Sequence, residues 1–344
     1  MLYHGWDIGG AHLKHAVLDS HGRVISVAQY PCALWQGMPV LEERLATIDT
    51  GGAGTACHAI TMTGELVDHF PDRVVGVQRI LEVMVRRLGK ALRVHAREGL
   101  LSPAAAARAP LAVASMNWLA TLRVVAGTGG SGWLIDMGST TTDVLAWRDG
   151  APDIQAWQDG ARLASGELVY TGICRTPVMA VARRVPFGDG WRGVAAEYFA
   201  NMADVYRITG ELPQGADDFA TADGRPADRE HSLARLARMV GEDSDLAQTA
   251  PLEKLAHHLA ECQRLEILET MHRRASVCDV KNGKMTVVGT GAGIFVTAQI
   301  ARALGLEFQD FATRLKVPPE LCYLANVCAP AVAVARLCWT EVPR

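Results

Sequence analysis

The stretch Ile135-Asp136-Met137-Gly138-Ser139-Thr140-Thr141-Thr142-Asp143-Val144 constrains the fold of this chain more than any other. One apolar run, Trp133-Leu134-Ile135, enters it, and a second, Val144-Leu145-Ala146-Trp147, leaves it. Between the runs stand an acid, a glycine and a row of hydroxyl residues. Strand, hydroxyl-rich turn and strand make a hairpin whose turn offers N–H and O–H groups to an anion. An acid just ahead of such a turn repels phosphate, but it can hold a divalent cation, or the water on one, that binds phosphate. Taken alone, the stretch reads equally well as a polar hairpin turn in a solvated β-protein.

A second copy breaks the tie. Trp6-Asp7-Ile8-Gly9-Gly10-Ala11-His12-Leu13-Lys14-His15-Ala16-Val17-Leu18-Asp19 has the same apolar lead-in, acid, glycine and alternating exit. Two Asp-x-Gly hairpins, one opening each half of the chain, predict a duplicated α/β unit whose turns face each other across a central cleft. A third turn, Gly289-Thr290-Gly291-Ala292-Gly293, leaves the apolar pair Val287-Val288 and enters a helical pattern at Ile294. Glycines there admit close backbone approach, and a helix N-terminus favours negative charge.

At these residues the chain resembles the superfamily of acetate and sugar kinases, heat-shock 70 chaperones and actin. The three turns look like its phosphate-1, phosphate-2 and adenosine-type motifs, and Asp7-x-Gly9-x-x-x-x-Lys14 and Asp136-x-Gly138-x-Thr140-x-x-Asp143 keep its order and rough spacing. Within that superfamily the chain is similar to the hydantoinase A/oxoprolinase-like branch. More narrowly, it resembles short proteins of the tetrahydromethanopterin-linked one-carbon pathway that act in methanofuran biosynthesis. The narrower likeness rests on Met62-Thr63-Gly64-Glu65-Leu66-Val67-Asp68, Asn117-Trp118, Ser165-Gly166-Glu167-Leu168-Val169-Tyr170-Thr171-Gly172 and Arg175-Thr176-Pro177-Val178. The resemblance spans nearly the whole chain. It implies a two-lobed actin-like (ribonuclease H-like) ATPase fold, with duplicated β-hairpin and βαβ domains about the cleft.

Several function classes are excluded by composition. A net charge of −3 over 344 residues provides no field to draw nucleic acid or an anionic membrane. No apolar stretch reaches the roughly 20 residues of a membrane span. Met1-Leu2-Tyr3-His4-Gly5-Trp6 leads directly into the first motif with no basic or long apolar leader, so a cytoplasmic location is expected. The eight cysteines include no Cys-x-x-Cys pair and read as reduced core residues. His258 and Cys262 share one helical face, but no further ligand pair stands beside them.

Along the chain, strands are expected over 2–8, 13–19, 23–29, 59–63 and 92–96. Helices are expected over 40–48, from Asp72 to Gly89, and over 117–126. The glycine-rich run 127–132 sets a domain boundary near residue 126, giving domains over 1–126 and 127–344, with a helical insertion near 178–275. After the 133–147 hairpin, the segment to Ala164 and the stretch 165–172 read as further strand. Helices then follow at 198–206, 233–240, 252–275, 295–304 and 308–315. The last, 324–339, is almost wholly apolar and is expected to be buried against the first domain.

A phosphate-bearing ligand needs main-chain donors, a cation, and acids to hold that cation. Gly9, Gly10, Gly138, Ser139, Thr140 and Thr141 supply donors, with Gly289, Gly291 and Gly293 as a further cradle. Asp7 and Asp136 are the expected ligands of Mg2+ and share the catalytic role with Glu65. Lys14 reaches a phosphate as a point charge, unless it simply points outward on its strand. Asp68, Asn117, Glu167 and Arg175 stand at the ends of apolar elements, where either a ligand or a local cap can use them, and His12 is placed to line the site. Glu65 follows a strand and a glycine, and is the choice for general base.

The narrower resemblance implies a transferase that condenses an aminomethylfuran-methyl diphosphate with a tyramine- or tyrosine-type phenol, free or glutamylated, with release of diphosphate. Small molecules would then be its partners, with no nucleic acid or membrane, and the enzyme a monomer or homodimer. The superfamily's commoner chemistry implies instead an ATP-dependent kinase or an oxoprolinase-type amidohydrolase. A nucleotide sensor without turnover is a third reading. The chain is far shorter than a large hydantoinase, which weakens the ring-opening reading.

Overall fold

Alternating apolar residues and glycine turns build the first sheet, as seen in a computed structural model that describes residues 1–51, 56–243, 249–277 and 285–342. Strands β1 (Leu2–Ile8), β2 (His12–Leu18), β3 (Val24–Pro31), β4 (Ala56–Met62), β5 (Arg93–Ala96) and β6 (Gly99–Leu101) lie in the order β3-β2-β1-β4-β5-β6. β1 pairs antiparallel with β2 and parallel with β4. The connection to β3 turns at Gly22 (φ 76°), while Asp19 Oδ1 accepts the amides of His21 and Arg23.

Helix Arg73–Leu88 begins where Asp72 accepts the Val75 amide and ends at Gly89 (φ 84°). It buries Val77, Ile80, Leu81 and Met84, the spacing that places side chains on one helical face. Helix Asn117–Ala126 is buried along nearly its whole length.

The chain forms two units. One comprises Met1–Gly130, Trp147–Pro152 and Asp310–Arg344, and the other Ser131–Ala146 and Asp153–Gln309. The glycine-rich run predicts a second domain over all of 127–344, whereas the C-terminal segment from Asp310 lies in the first unit. The reason is a fit to Gly5. A Cβ on Gly5 would stand 2.0 Å from the Ala331 carbonyl oxygen and 2.6 Å from the Ala335 nitrogen, so helix Ala329–Glu341 rests directly on the backbone of β1.

The helix expected over 324–339 is broken into Cys322–Val327 and Ala329–Glu341, with a bend of 103°. Pro330 lies in the first turn of the later helix, where its missing N–H and its ring prevent continuation from the earlier one. Among the described residues no single helix is long and apolar enough to cross a membrane.

The second unit repeats the core of the first. β7 (Gly132–Met137) and β8 (Thr142–Arg148) form the hairpin, with β9 (Ala151–Asp153) and β10 (Leu168–Val169) beside β8. A separate hairpin joins β11 (Arg184–Phe187) to β12 (Gly190–Gly193). β13 (Thr286–Thr290) pairs parallel with β7, and β14 (Glu307–Asp310) completes the order β10-β8-β7-β13-β14. Thus β7, β8 and β13 take the places that β1, β2 and β4 hold in the first unit.

Four expectations fail locally here. The segment to Ala164 is strand only at β9 and then forms helix Asp159–Ser165, which Gly166 ends in a left-handed conformation (φ 77°). That cap shortens the strand expected over 165–172 to Leu168–Val169. The helix expected from Phe308 starts at Phe311, because β14 runs to Asp310 and the Asp310 side chain caps the helix through the Thr313 amide. In the insertion, Asn201 and Asp204 form a reciprocal cap that starts helix Met202–Thr209 later than expected. Helices Arg229–Arg238 and Ala250–Val277 complete it.

Candidate functional site

The two Asp-x-Gly turns are closed by the same hydrogen bond. The Gly9 amide donates to the His12 carbonyl at 2.9 Å, and the Gly138 amide donates to the Thr141 carbonyl at 2.9 Å. Each acid also has a threonine as its neighbour on the parallel strand, Thr61 beside Asp7 and Thr290 beside Asp136. The internal likeness in the sequence is therefore a likeness of backbone geometry and of register.

Asp7 is 3% exposed and faces Lys14 across the hairpin, with Lys14 Nζ 3.7 Å from Asp7 Oδ2. Lys14 is thus on the carboxylate's face and is not an outward strand residue. Burial pushes the Asp7 carboxyl above its usual range, and the Lys14 charge opposes that shift. Asp7 Oδ1 is buried and accepts no hydrogen bond among the described residues, so the carboxylate has an unmet acceptor. His12, at the start of β2, and the turn residues Gly9 and Gly10 are half-buried. A Cβ on Gly10 would lie 2.9 Å from Val67 Cγ1, so glycine keeps this turn close to the segment after β4.

In the second unit, the glycines of the third turn make room at Asp136. A Cβ on Gly291 would stand 2.3 Å from the Met137 carbonyl oxygen and 2.7 Å from Asp136 Oδ1, at a φ of 82°. The Gly293 amide donates to the Met137 carbonyl at 2.8 Å, tying the start of helix Ile294–Ala303 to the end of β7. Gly289 lies on β13 under Phe308 and Thr297, a packing position behind the turn.

Ser139, Thr140 and Thr141 remain half-buried. Their turn is held from behind: the Cys174 and Arg175 amides donate to the Ser139 carbonyl, and a Cβ on Gly172 would come 2.5 Å from the Thr140 nitrogen. Gln263, fully buried on helix Ala250–Val277, donates to Thr171 Oγ1 at 2.8 Å and to the Gly172 carbonyl at 2.9 Å, and it accepts from the Tyr206 hydroxyl. The exposed Arg175 guanidinium lies 5.3 Å from the centroid of the Phe219 ring.

Glu65 sits in the short helical turn after β4, 1% exposed, with Oε1 accepting from Ser115 Oγ at 2.8 Å. Burial pushes its carboxyl upward, while the Ser115 hydroxyl pulls it back. Gly76 permits the approach of helix Arg73–Leu88, since a Cβ there would lie 2.8 Å from Glu65 backbone and side-chain atoms. Asp68 is exposed beyond that turn, and the half-buried Asn117 opens its own helix two residues after Ser115.

Glu167 takes the local role that its place at the end of an apolar element left open beside ligand binding. Fully buried, it accepts the Gln155 and Ala156 amides, each at 2.8 Å, and the Ser165 hydroxyl at 3.1 Å, and it faces Arg274 Nη1 at 3.2 Å. It latches the loop after β9 and is not presented to a ligand. Asp143, in the second motif, pairs with the buried Arg162 at 2.7 Å; burial raises its carboxyl, and Arg162 opposes the shift. His258 Nε2 and Cys262 Sγ lie 3.5 Å apart, and among the described residues no group of three or more His, Cys, Asp or Glu residues is placed to hold a metal ion.

Ser115, Gly76 and Gln263 escaped sequence reasoning because each lies inside an unremarkable apolar or helical segment. A glycine within the apolar pattern of 73–88 was the available signal for Gly76. The left-handed backbone at Ser115 left none.

Residues 56–340 match the family described as hydantoinase/oxoprolinase. The chain is 31% identical over 282 residues to the (4-{4-[2-(gamma-L-glutamylamino)ethyl]phenoxymethyl}furan-2-yl)methanamine synthase of Methanocaldococcus jannaschii, an alignment covering 80% of this chain and 83% of that one. It is also 31% identical over 160 residues to the synthase of the same name from Methanococcus vannielii, covering 46% and 70%. Among solved structures, nucleotide-free acetone carboxylase superposes with a TM-score of 0.53 at 11% identity, over 97% of this chain and 70% of that one. That last likeness is one of fold.

Proposed function

The chain belongs to the hydantoinase/oxoprolinase family and has an actin-like α/β fold, and from that premise we propose that it is a synthase of methanofuran-type cofactors. It joins an aminomethylfuran-methyl diphosphate to the phenol of a tyramine-type acceptor, making it an alkyl transferase with a diphosphate leaving group. The observation that carries the reading is the 31% identity over 282 residues to a synthase whose named product is a phenoxymethyl ether of furan bearing a γ-glutamylaminoethyl group. A γ-glutamylated tyramine is accordingly the acceptor of choice here, with tyramine and tyrosine as competitors.

In the reaction the phenol oxygen bonds to the furan methylene carbon. The bond from that carbon to the diphosphate oxygen breaks, its electron pair leaves with diphosphate, and the phenolic proton passes to a carboxylate. Glu65 is the proposed proton acceptor. In the first unit the turn amides at 9–10 with Lys14, and in the second the turn amides and hydroxyls at 138–141 with Arg175, are each proposed as hosts of phosphate charge.

Asp7 and Asp136 are each proposed as holders of Mg2+, which when bound neutralises diphosphate charge. Two observations suit that role: Asp7 Oδ1 has an unmet acceptor, and Gly291 leaves beside Asp136 Oδ1 the space a Cβ would fill. The reading includes a cytoplasmic location and a monomer or homodimer.

The test is to mix purified protein with Mg2+, the furan diphosphate and γ-glutamyl-tyramine, and to follow diphosphate release together with the etherified mass. Both are expected, with little Mg-dependent ATP hydrolysis. ATP turnover without ether formation would assign the chain to kinase or amidohydrolase chemistry instead.

A further inference from the structure

We infer that Ser115 is a positioning residue for Glu65, held in a left-handed backbone conformation so that its hydroxyl fixes one carboxylate oxygen and leaves the other to take a proton. The inference deepens the proposed function and rests on the reading of Glu65 as proton acceptor.

Three non-glycine residues among those described have a positive φ in the left-handed region: Ser115 (55°), Asp149 (47°) and Lys316 (57°). Asp149 and Lys316 are exposed, whereas Ser115 is 6% exposed. Glycine is the residue such a backbone favours. The chain has instead a residue with a hydroxyl, and that hydroxyl donates to Glu65 Oε1 at 2.8 Å. Strained backbone at non-glycine positions persists only where the surrounding structure holds it, and it clusters at active sites and ligand clamps.

The other walls around Glu65 point the same way. Helix Arg73–Leu88 closes on it through Gly76, with no space for even a methyl group. Glu65 Oε2 accepts no hydrogen bond among the described residues. Against burial, the Ser115 hydroxyl is the largest influence that draws the carboxyl down, followed by the backbone amides of Glu65 and Ser115 and by Arg73, on the same helix as Gly76. Burial disfavours the ionised form, so a donor on Oε1 matters twice: it keeps the carboxylate available as a base, and it sets which oxygen receives the proton.

The decisive variant is Ser115→Gly, which suits the backbone and lacks the hydroxyl. Its thermal midpoint is expected to equal or exceed that of the parent protein. Its acid limb of kcat/KM for diphosphate release is expected to move up by about one pH unit, a fall of ~10-fold on that limb, with KM for both substrates unchanged. Ser115→Asn, which tolerates the left-handed conformation and presents an amide donor, is expected to recover much of the lost rate. A direct readout independent of turnover is the infrared titration of the carboxyl band that disappears in Glu65→Gln. Its midpoint is expected to rise in Ser115→Gly, and an unchanged midpoint overturns the positioning role alone. Wild-type turnover in Glu65→Gln overturns the reading beneath it, and Ser115 then positions no base.

Discussion

Lys14 holds its ammonium nitrogen 3.7 Å from Asp7 Oδ2, from the facing position of the β1–β2 hairpin. The pair joins a carboxylate that burial pushes towards its neutral form to a half-buried cation that resists the shift. Asp7→Asn keeps the shape and removes the charge. It is expected to lower diphosphate release by about 100-fold, the scale on which a group aimed at developing charge acts. Stability should change by less than about 1 kcal/mol, because the substitution also relieves a disfavoured buried charge. Denaturant titration beside a diphosphate assay checks both, and a folded variant with full activity would remove Asp7 from the site.

The latch at Glu167 leads to the opposite expectation. Its oxygens serve two amides, a hydroxyl and Arg274, all buried or part-buried, so Glu167→Ala leaves unmet donors and a buried guanidinium without this carboxylate. A loss of about 3–5 kcal/mol in unfolding free energy is expected. Whatever activity the remaining folded protein has should show an unchanged KM. A stable variant with a raised KM would return Glu167 to the substrate.

Acid should destabilise the first unit through a histidine cluster. His4 Nδ1 and His15 Nε2 lie 3.0 Å apart, Trp6 stacks on His15 at 3.8 Å, and the Trp6 indole donates to His58 Nδ1 at 3.3 Å. Burial lowers His15 to about 3 and His58 to about 4, with the neighbouring histidine charges adding to the effect. An unfolded chain binds these protons near pH 6.5, whereas the folded one refuses them until pH 4 to 3. Stability is therefore full above pH 6.5 and lost progressively as the pH falls through that window. Urea midpoints between pH 7 and pH 4 should drop less steeply in His15→Gln than in the parent, and equal slopes would refute the assignment.

The parts of the candidate site's geometry that were legible have local signals. Asp7 and Lys14 lie on one short hairpin, and strand alternation with a glycine turn dictates that they face each other. The parallel between the Asp7 and Asp136 turns could be read from spacing alone, and the structure adds their shared closing bond. The break before Ala329 had a readable cause in Pro330 that the apolar pattern concealed.

What the sequence determined by itself was the set of repeating backbone devices: two acid–glycine hairpins, a third glycine turn, and the apolar periods of strands and helices. These follow from dihedral preferences and side-chain period, which act over a few residues. Tertiary structure alone decided that Ser115 meets Glu65, that Gly76 closes over that glutamate, that Glu167 turns inward to Arg274, and that the C-terminal helix rests on Gly5. Each of those contacts joins separate elements of the chain, through close approach and desolvation. Such meetings depend on how whole elements pack, and no local pattern of residues encodes them.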